Sequence, residues 1–250
     1  MGLLQIRNLG KSFGSTTALE DFSLDVTECT LRCLLGPNGA GKTTTMDLIT
    51  GRLKPTSGSI LFDGNEIAGL DEHTIARRGI GRKFQVPAVF RDLTVQENLQ
   101  VAYGRELNPI RNMLRRRGTA GRGMIADTAA RVGLSGRLHA HAGTLSHGEI
   151  QWLEIGMVLM QDPKLLLMDE PTAGMTEYET AKTSQIFNEL KKTHTLLVVE
   201  HDMGFVRQIA DVVTVMHMGR LLAEGPIRDI ERDRRVREVY LGDEQVDDAA

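Results

Sequence analysis

A glycine-rich segment constrains the fold of this chain more than any other feature of its sequence. Its wording is Gly36-Pro37-Asn38-Gly39-Ala40-Gly41-Lys42-Thr43-Thr44, in which a glycine, four residues, a second glycine, a lysine and a hydroxyl residue follow one another. An apolar run precedes the segment and a helical pattern, residues 42–50, follows it. In strand–loop–helix units of this kind, glycines let backbone N–H groups converge on phosphate oxygens at the positive end of a helix. We therefore predict that residues 36–44 form a nucleotide-binding phosphate loop.

Two side chains of the phosphate loop have predicted chemical roles. Lys42 would place its charge at the β- and γ-phosphates of the nucleotide, and the Thr43 hydroxyl would ligate Mg²⁺. The alternative is a chance match, which at average residue usage arises in about one chain in a hundred of this length. The flanking strand and helix patterns make chance rarer still, so we favour a nucleotide site.

A second motif combines a buried strand with two carboxylates. The apolar run Leu165–Met168 leads directly into Asp169 and Glu170. Open α/β sheets bind ligands at the carboxyl ends of their strands, so we predict that Asp169 holds Mg²⁺ and that Glu170 polarises the attacking water. Two ordinary surface acids after a strand are the alternative, which is common for an isolated Asp-Glu pair but fits poorly beside a phosphate loop.

The order of apolar patterns predicts an α/β fold with an insertion. Alternation at Phe22–Val26 and a hairpin signal at Ser59–Phe62 predict an N-terminal antiparallel β layer. Continuous apolar runs such as Thr195–Val199 are typical of buried parallel strands, whereas the pattern from Leu93 to Met160 is helical. We predict segments 1–86 (β layer and phosphate-loop half of the core), 87–160 (helical subdomain), 161–241 (second half of the core) and 242–250 (frayed acidic tail).

Composition bounds the partners of the chain. The net charge is -3 and the pI is about 6.2, so the overall charge does not indicate a nucleic-acid partner. An arginine cluster, Arg111–Arg117 with Arg122, lacks interleaved aromatic residues, which favours a solvated helix face over base stacking. No apolar run approaches the roughly 18 residues of a membrane span, and the N-terminus does not read as a signal peptide. We expect a cytoplasmic protein with no nucleic-acid partner.

Further residues resemble motifs of the ABC ATPases. Leu145-Ser146-His147-Gly148-Glu149 resembles their signature motif. Gln85 follows the predicted strand Ile80–Phe84 and matches their Q-loop, and His201 matches their switch histidine. Phe13 stands where these proteins carry the aromatic residue that stacks on adenine. The resemblance covers about Leu3 to Gly242 and implies a RecA-like P-loop NTPase core that binds ATP and Mg²⁺.

The resemblance also implies how such a chain works. Two ATPase subunits, identical or different, would form a head-to-tail dimer in which each ATP lies between the phosphate loop of one subunit and the signature motif of the other. Ser146 and the Gly148 amide would meet the γ-phosphate of the opposite subunit, and Gln85 would sense the metal and the water. His201 would contact the γ-phosphate and orient Glu170. Two permease subunits and an external substrate-binding protein would complete a transporter on the inner face of the cell membrane.

The chain departs from the usual family wording at four positions. His147 replaces the first glycine after the signature serine, and Glu149 replaces a glutamine. Met175-Thr176 stand where most relatives have leucine and aspartate, a loss that bears on communication across the dimer. His147 is open to a second interpretation, as a tolerated surface substitution.

Finer wording favours one branch of the family. Segments at Gly79–Gln85, Gln151–Met157 and Glu238–Gly242 resemble the ATP-binding subunits of urea importers, which belong to the branched-chain amino acid importer family. Branched-chain amino acids are the alternative solute, because an ATPase subunit does not touch its solute. A non-transport ABC ATPase and another P-loop enzyme, such as a nucleotide kinase, are less favoured, since the chain carries one phosphate loop, one signature and no sustained heptads.

Overall fold

The computed structural model describes the backbone of residues 2–83, 89–103 and 119–247. The strands in these residues are β1 Leu4–Phe13, β2 Thr16–Val26, β3 Leu31–Leu35, β4 Ser57–Phe62, β5 Asn65–Glu66, β6 Ile80–Lys83, β7 Leu165–Asp169, β8 Thr195–Val199, β9 Val212–His217 and β10 Arg220–Gly225. The α-helices are α1 Lys42–Ile49, α2 Glu72–Arg77, α3 Val95–Ala102, α4 Thr119–Arg131, α5 His147–Leu159, α6 Glu177–Leu190, α7 Met203–Ile209, α8 Ile227–Ile230 and α9 Arg234–Asp247.

The central layer is a six-stranded sheet in the order β10-β9-β3-β8-β7-β6. Its strands β9, β3, β8, β7 and β6 run parallel, and β10 joins the edge antiparallel. Every residue of β3, β7 and β8 is buried, which explains why apolar residues dominate these strands. The exceptions include Arg32 of β3, which is buried and donates to Thr214. The buried strands predicted at 165–168 and 195–199 are confirmed, and the apolar run before the glycine-rich segment forms β3. Because they run parallel, the residues that follow β3, β7 and β8 emerge at one edge of the sheet.

A second sheet covers one face of the first. It is antiparallel, with strand order β2-β1-β4-β5. One apolar core holds Leu4 and Phe22 of this sheet together with Leu34 and Leu167 of the central sheet, so the two sheets pack face to face. The predicted antiparallel layer is therefore confirmed, but its strand β1 was not predicted. Two register shifts near Asn8, which has φ 48°, interrupt the alternation that would have revealed β1.

The other face of the central sheet carries helices. Helix α3 begins with a capping box, in which the Thr94 hydroxyl accepts from Glu97 N and the Glu97 carboxylate accepts from Thr94 N. Helices α3, α4 and α5 fall in the span predicted to be helical. The predicted strand at residues 80–84 ends at Lys83 in the described residues, and Arg111–Arg117 lie outside them. No helix in the described residues has the length and apolar content that a membrane span requires.

The predicted C-terminal tail differs from the structure. Residues 242–250 were expected to be frayed because they are acidic and lack apolar content, yet α9 continues to Asp247. A helix that has already begun gains one hydrogen bond for each added residue. The helix that starts at Arg234 therefore extends into the acidic segment as far as the structure describes it.

Candidate active site

The segment predicted to be a phosphate loop connects β3 to α1, between the strand and the helix that the sequence predicts on either side of it. Gly36 has φ 149°, and a Cβ there would lie 2.3 Å from the Met216 carbonyl oxygen. Gly41 has φ 101°, and a Cβ there would lie 2.9 Å from the Ala18 carbonyl oxygen. A side chain at either position would collide with backbone, so both glycines are needed for the loop to close against its neighbours.

Lys42 fills the phosphate loop from inside. Its ammonium donates to the carbonyl oxygens of Gly36 at 2.5 Å and Pro37 at 3.0 Å. Burial lowers the pKa of Lys42, and the negative charges of Glu170 and Asp169 oppose that shift. The loop therefore positions a cation that the two carboxylates of the second motif can reach electrostatically. Thr43 is exposed and Thr44 half-buried at the start of α1.

Asp169 ends β7 as a buried carboxylate, 3% exposed. Its Oδ2 lies 3.6 Å from a guanidinium nitrogen of Arg82, and Arg82 also contacts Asp47 at 2.5 Å. Burial raises the pKa of Asp169, and Arg82 counteracts part of that effect. Among the described residues Oδ2 accepts no hydrogen bond. A buried carboxylate oxygen with spare acceptor capacity, within electrostatic reach of Lys42 at the start of α1, fits a hard cation such as Mg²⁺.

Glu170 and His201 face each other across two strand ends. Glu170 has φ 45°, a conformation that is uncommon for a residue with a side chain, and its N–H donates to the Val199 carbonyl at 3.0 Å. This bond holds the residue after β7 against the end of β8. Glu170 Oε1 lies 3.7 Å from His201 Nδ1, with the Glu170 side chain 39% exposed and that of His201 67% exposed. A carboxylate and an imidazole accessible to solvent therefore flank the same edge.

A further carboxylate at this edge was not predicted from the sequence. Glu200 is buried, and its Oε1 accepts from the Thr172 hydroxyl at 2.6 Å and the Thr172 N–H at 3.2 Å. Its Oε2 accepts from the His201 N–H at 3.1 Å. Glu200 thus ties the loop that carries Glu170 to the loop that carries His201. The one signal in the sequence is an acid that ends an apolar run, the same pattern that identified Asp169.

The predicted signature residues belong to a separate cluster. Ser146 caps α5, and Gly148 lies in its first turn. The Ser146 hydroxyl and the Gly148 N–H both donate to the Glu179 carboxylate of α6, at 2.8 and 3.0 Å. His147 Nε2 lies 3.0 Å from the Ala173 carbonyl. The departure at His147 is therefore not a bare surface substitution, because it contacts the loop that begins at Glu170.

The structure accordingly brings some predicted residues together and leaves others apart. Lys42, Asp169, Glu170 and His201 share one edge of the central sheet. Phe13 ends β1 with 47% of its surface exposed, and the Lys11 ammonium lies 4.9 Å from its ring centre. Gln85 lies outside the described residues. No hydrogen bond or ion pair in the described residues joins Ser146 or Gly148 to the phosphate loop.

Comparisons with known proteins agree with this geometry. A family model described as ABC transporter matches residues 19–173. The chain belongs to the ABC transporter family. It is 37% identical to the high-affinity branched-chain amino acid transport ATP-binding protein BraF of Pseudomonas aeruginosa, over 96% of this chain and 98% of the relative. It is 36% identical to LivG of Salmonella typhimurium, which has the same functional name, over 96% of this chain and 98% of the relative.

A solved structure gives the same fold. The ADP conformation of an ATP-binding cassette of an ABC transporter superimposes with a TM-score of 0.84 at 32% identity, covering 97% of this chain and 99% of that one. The predicted α/β P-loop architecture with an antiparallel sheet and helical insertion is thereby confirmed. The chain is an ABC-type transport ATPase, which sets aside the nucleotide-kinase and non-transport alternatives.

Proposed function

We propose that this chain binds ATP with Mg²⁺ and hydrolyses it to drive uptake of branched-chain amino acids through separate permease subunits. The observation that supports this most is the convergence of Lys42, Asp169, Glu170 and His201 at one edge of the central sheet. A cation inside a phosphate loop, a buried carboxylate and an accessible carboxylate–imidazole pair are the groups that phosphoryl transfer to water requires.

The residues divide the chemistry among them. The backbone amides of residues 36–44 and the Lys42 ammonium bind the phosphates. Asp169 and Thr43 would hold Mg²⁺, with Gln85 as the family-implied third ligand, and the bound ion would supply positive charge at the phosphate oxygens. Glu170 orients the attacking water and accepts its proton. His201 stands beside Glu170 Oε1, where it can contact the γ-phosphate and fix the direction of the carboxylate. Phe13 offers an exposed ring for adenine.

A second ATPase subunit completes the site in this proposal. Ser146 and Gly148 would act on the ATP bound by the partner in a head-to-tail dimer, homo- or heteromeric. Two permeases and an external substrate-binding protein would form the rest of the importer. The ATPase would lie at the cytoplasmic face of the membrane, held there by the permeases.

The solute is inferred from the relatives and not from the site. BraF and LivG bear branched-chain amino acid names, which favours these solutes over the urea that the wording of residues 79–85 and 151–157 had favoured. Urea is the second candidate because the sequence of those two segments resembles that of urea importers.

Uptake measurements separate these candidates. Labelled leucine and labelled urea are offered to the native host lacking the chain, then to the host complemented with wild type, with Glu170→Gln or with the surface control Glu189→Gln. Leucine uptake restored by wild type and Glu189→Gln but not by Glu170→Gln supports the proposal. Restoration of urea uptake alone assigns urea instead. Full restoration of the uptake of either solute by Glu170→Gln would contradict the ATPase mechanism.

A further inference from the structure

The N-terminus of α5 already holds a carboxylate. Ser146 Oγ and Gly148 N, the two donors that the proposed function assigns to the partner's γ-phosphate, both donate to Glu179 Oε1. The other oxygen, Oε2, accepts from the N–H and the hydroxyl of Thr176, each at 3.0 Å. Glu179 is 8% exposed. Four donors therefore converge on one side chain, two of them belonging to the signature motif.

The Glu179 carboxylate is an anion at neutral pH. Hydrogen bonds from the Thr176 backbone, Ser146 and the Gly148 backbone lower the pKa of Glu179 to about 2. In the part of the chain that the structure describes, no Lys, Arg or His forms an ion pair with Glu179. Its charge is satisfied by neutral donors alone, as that of a bound phosphate oxygen at a helix N-terminus would be.

Other capping boxes in the chain show that this arrangement is unusual. Glu97 caps α3 with a single oxygen, Oε2, which accepts from both Thr94 N and Thr94 Oγ1. Glu149 caps α5, and its second oxygen pairs with the Arg137 guanidinium. Only at Glu179, among these three, does the second oxygen occupy donors with a predicted role in nucleotide contact.

The absence of a side chain at Gly148 leaves space for the same carboxylate. A Cβ at residue 148 would lie 2.5 Å from Glu179 Cδ and 2.5 Å from Oε1. A glycine is therefore required here by the contact within the subunit. The same lack of a side chain that lets Glu179 reach the Gly148 N–H would let a phosphate oxygen reach it.

We infer that Glu179 is an internal substitute for the γ-phosphate, which holds the signature donors in the free subunit and must leave them when the partner's ATP arrives. A carboxylate and a γ-phosphate are both anions, and they cannot accept from the same two donors at once. This inference rests on the proposed function. Because Oε2 remains on Thr176, a displaced Glu179 stays attached to the start of α6. Arrival of ATP is thereby linked to the loop that runs from Glu170 to Thr176.

The test compares two substitutions in the Glu170→Gln chain, in which hydrolysis is slow. Glu179→Gln keeps the shape and removes the charge, and Glu179→Ala removes the side chain. The ATP concentration that gives half-maximal dimer is measured by light scattering, with ADP affinity measured in parallel. Glu97→Gln, which removes the same charge from a remote capping box, is the matched control.

The inference expects both Glu179 variants to dimerise at ATP concentrations about fivefold or more below that of the parent, with unchanged ADP affinity. Glu97→Gln should match the parent. If Glu179 only caps α6, Glu179→Gln will match the parent and Glu179→Ala will need more ATP, which overturns the inference while the proposed function stands. If the parent shows ADP and ATP binding but no ATP-dependent dimer, the head-to-tail part of the proposed function fails, and the inference fails with it. Melting temperatures establish that each variant is folded.

Discussion

The phosphate loop and the N-terminus of α5 are both predicted to bind phosphate, and the structure builds them in opposite ways. The loop holds a cation, Lys42, whose ammonium donates to two carbonyls of the loop itself. The α5 terminus holds an anion, Glu179, which accepts from the two donors of the signature motif. A nucleotide can approach the first surface without displacing an anion from the described residues, whereas it must displace a carboxylate at the second. If the proposed head-to-tail dimer forms, this difference predicts that ATP binds to the loop first and that closure across the dimer follows.

The substitution with the largest expected effect tests whether ATP is hydrolysed beside the phosphate loop. Glu170→Gln removes the carboxylate that faces His201, and we expect turnover of ATP to fall about 100-fold or more, the usual contribution of a general base. ATP affinity should persist, because the binding groups are untouched. Phosphate release and equilibrium ATP binding measure the two quantities. Near-normal turnover, relative to the surface variant Glu189→Gln, would remove Glu170 from its role.

The next substitution removes the cation of the phosphate loop, Lys42. Lys42→Ala deletes the charge inside the loop, and a charge-assisted hydrogen bond contributes about 1.5–3 kcal/mol. We therefore expect ATP affinity to fall about tenfold to about a hundredfold in equilibrium titration. Lys191→Ala is the control, since Lys191 also donates to a backbone carbonyl, that of Ile209, on another part of the fold. An unchanged ATP affinity in Lys42→Ala would contradict the cation's role.

The strand ends of this site could be predicted from the sequence, and the connections between them could not. Leu31–Leu35, apart from Arg32, and Leu165–Met168 are apolar because both faces of the sheet are covered, so local composition reveals the strands and the residues that follow them. Glu200 contacts Thr172 across 28 residues, and no local pattern specifies such a pair.

Glu179 shows the same limit within a single side chain. The Thr176-x-x-Glu179 spacing is a capping pattern, and it accounts for the bonds of Oε2 to Thr176. The partners of Oε1 lie 31 and 33 residues away and depend on how α5 and α6 pack. The hydrogen bonds of Oε2 can thus be predicted from the sequence, whereas those of Oε1 depend on the tertiary structure.

A subtler change tests the connection between the two loops of the active site. Thr172→Val keeps the side-chain shape and removes the hydroxyl that donates to Glu200. We expect kcat to fall about tenfold, the equivalent of one buried hydrogen bond of about 1.4 kcal/mol, because the loop that carries Glu170 loses a fixed contact. ATP affinity should stay constant. Thr214→Val is the matched control, since Thr214 also donates to a glutamate, Glu224, in the same sheet. An equal loss of kcat in both variants would indicate general destabilisation.

The smallest expected effect concerns the anion at the start of α6. The folded pKa of Glu179 is about 2, below its usual value of 4.5, so the carboxylate binds protons more weakly in the folded chain than in the unfolded chain. Its contribution to stability is therefore complete above pH 4.5 and is lost as the pH falls from 4.5 towards 2. The difference in free energy of unfolding between wild type and Glu179→Gln should be constant from pH 7 to about pH 5.5 and shrink below that. Glu97→Gln should show a smaller change over the same range, because Glu97 is exposed and, within residues 2–83, 89–103 and 119–247, its carboxylate accepts hydrogen bonds from Thr94 alone. A difference that does not vary with pH in denaturant titrations would show that Glu179 is not held as an anion, and the contrast between the two phosphate-binding surfaces would fail.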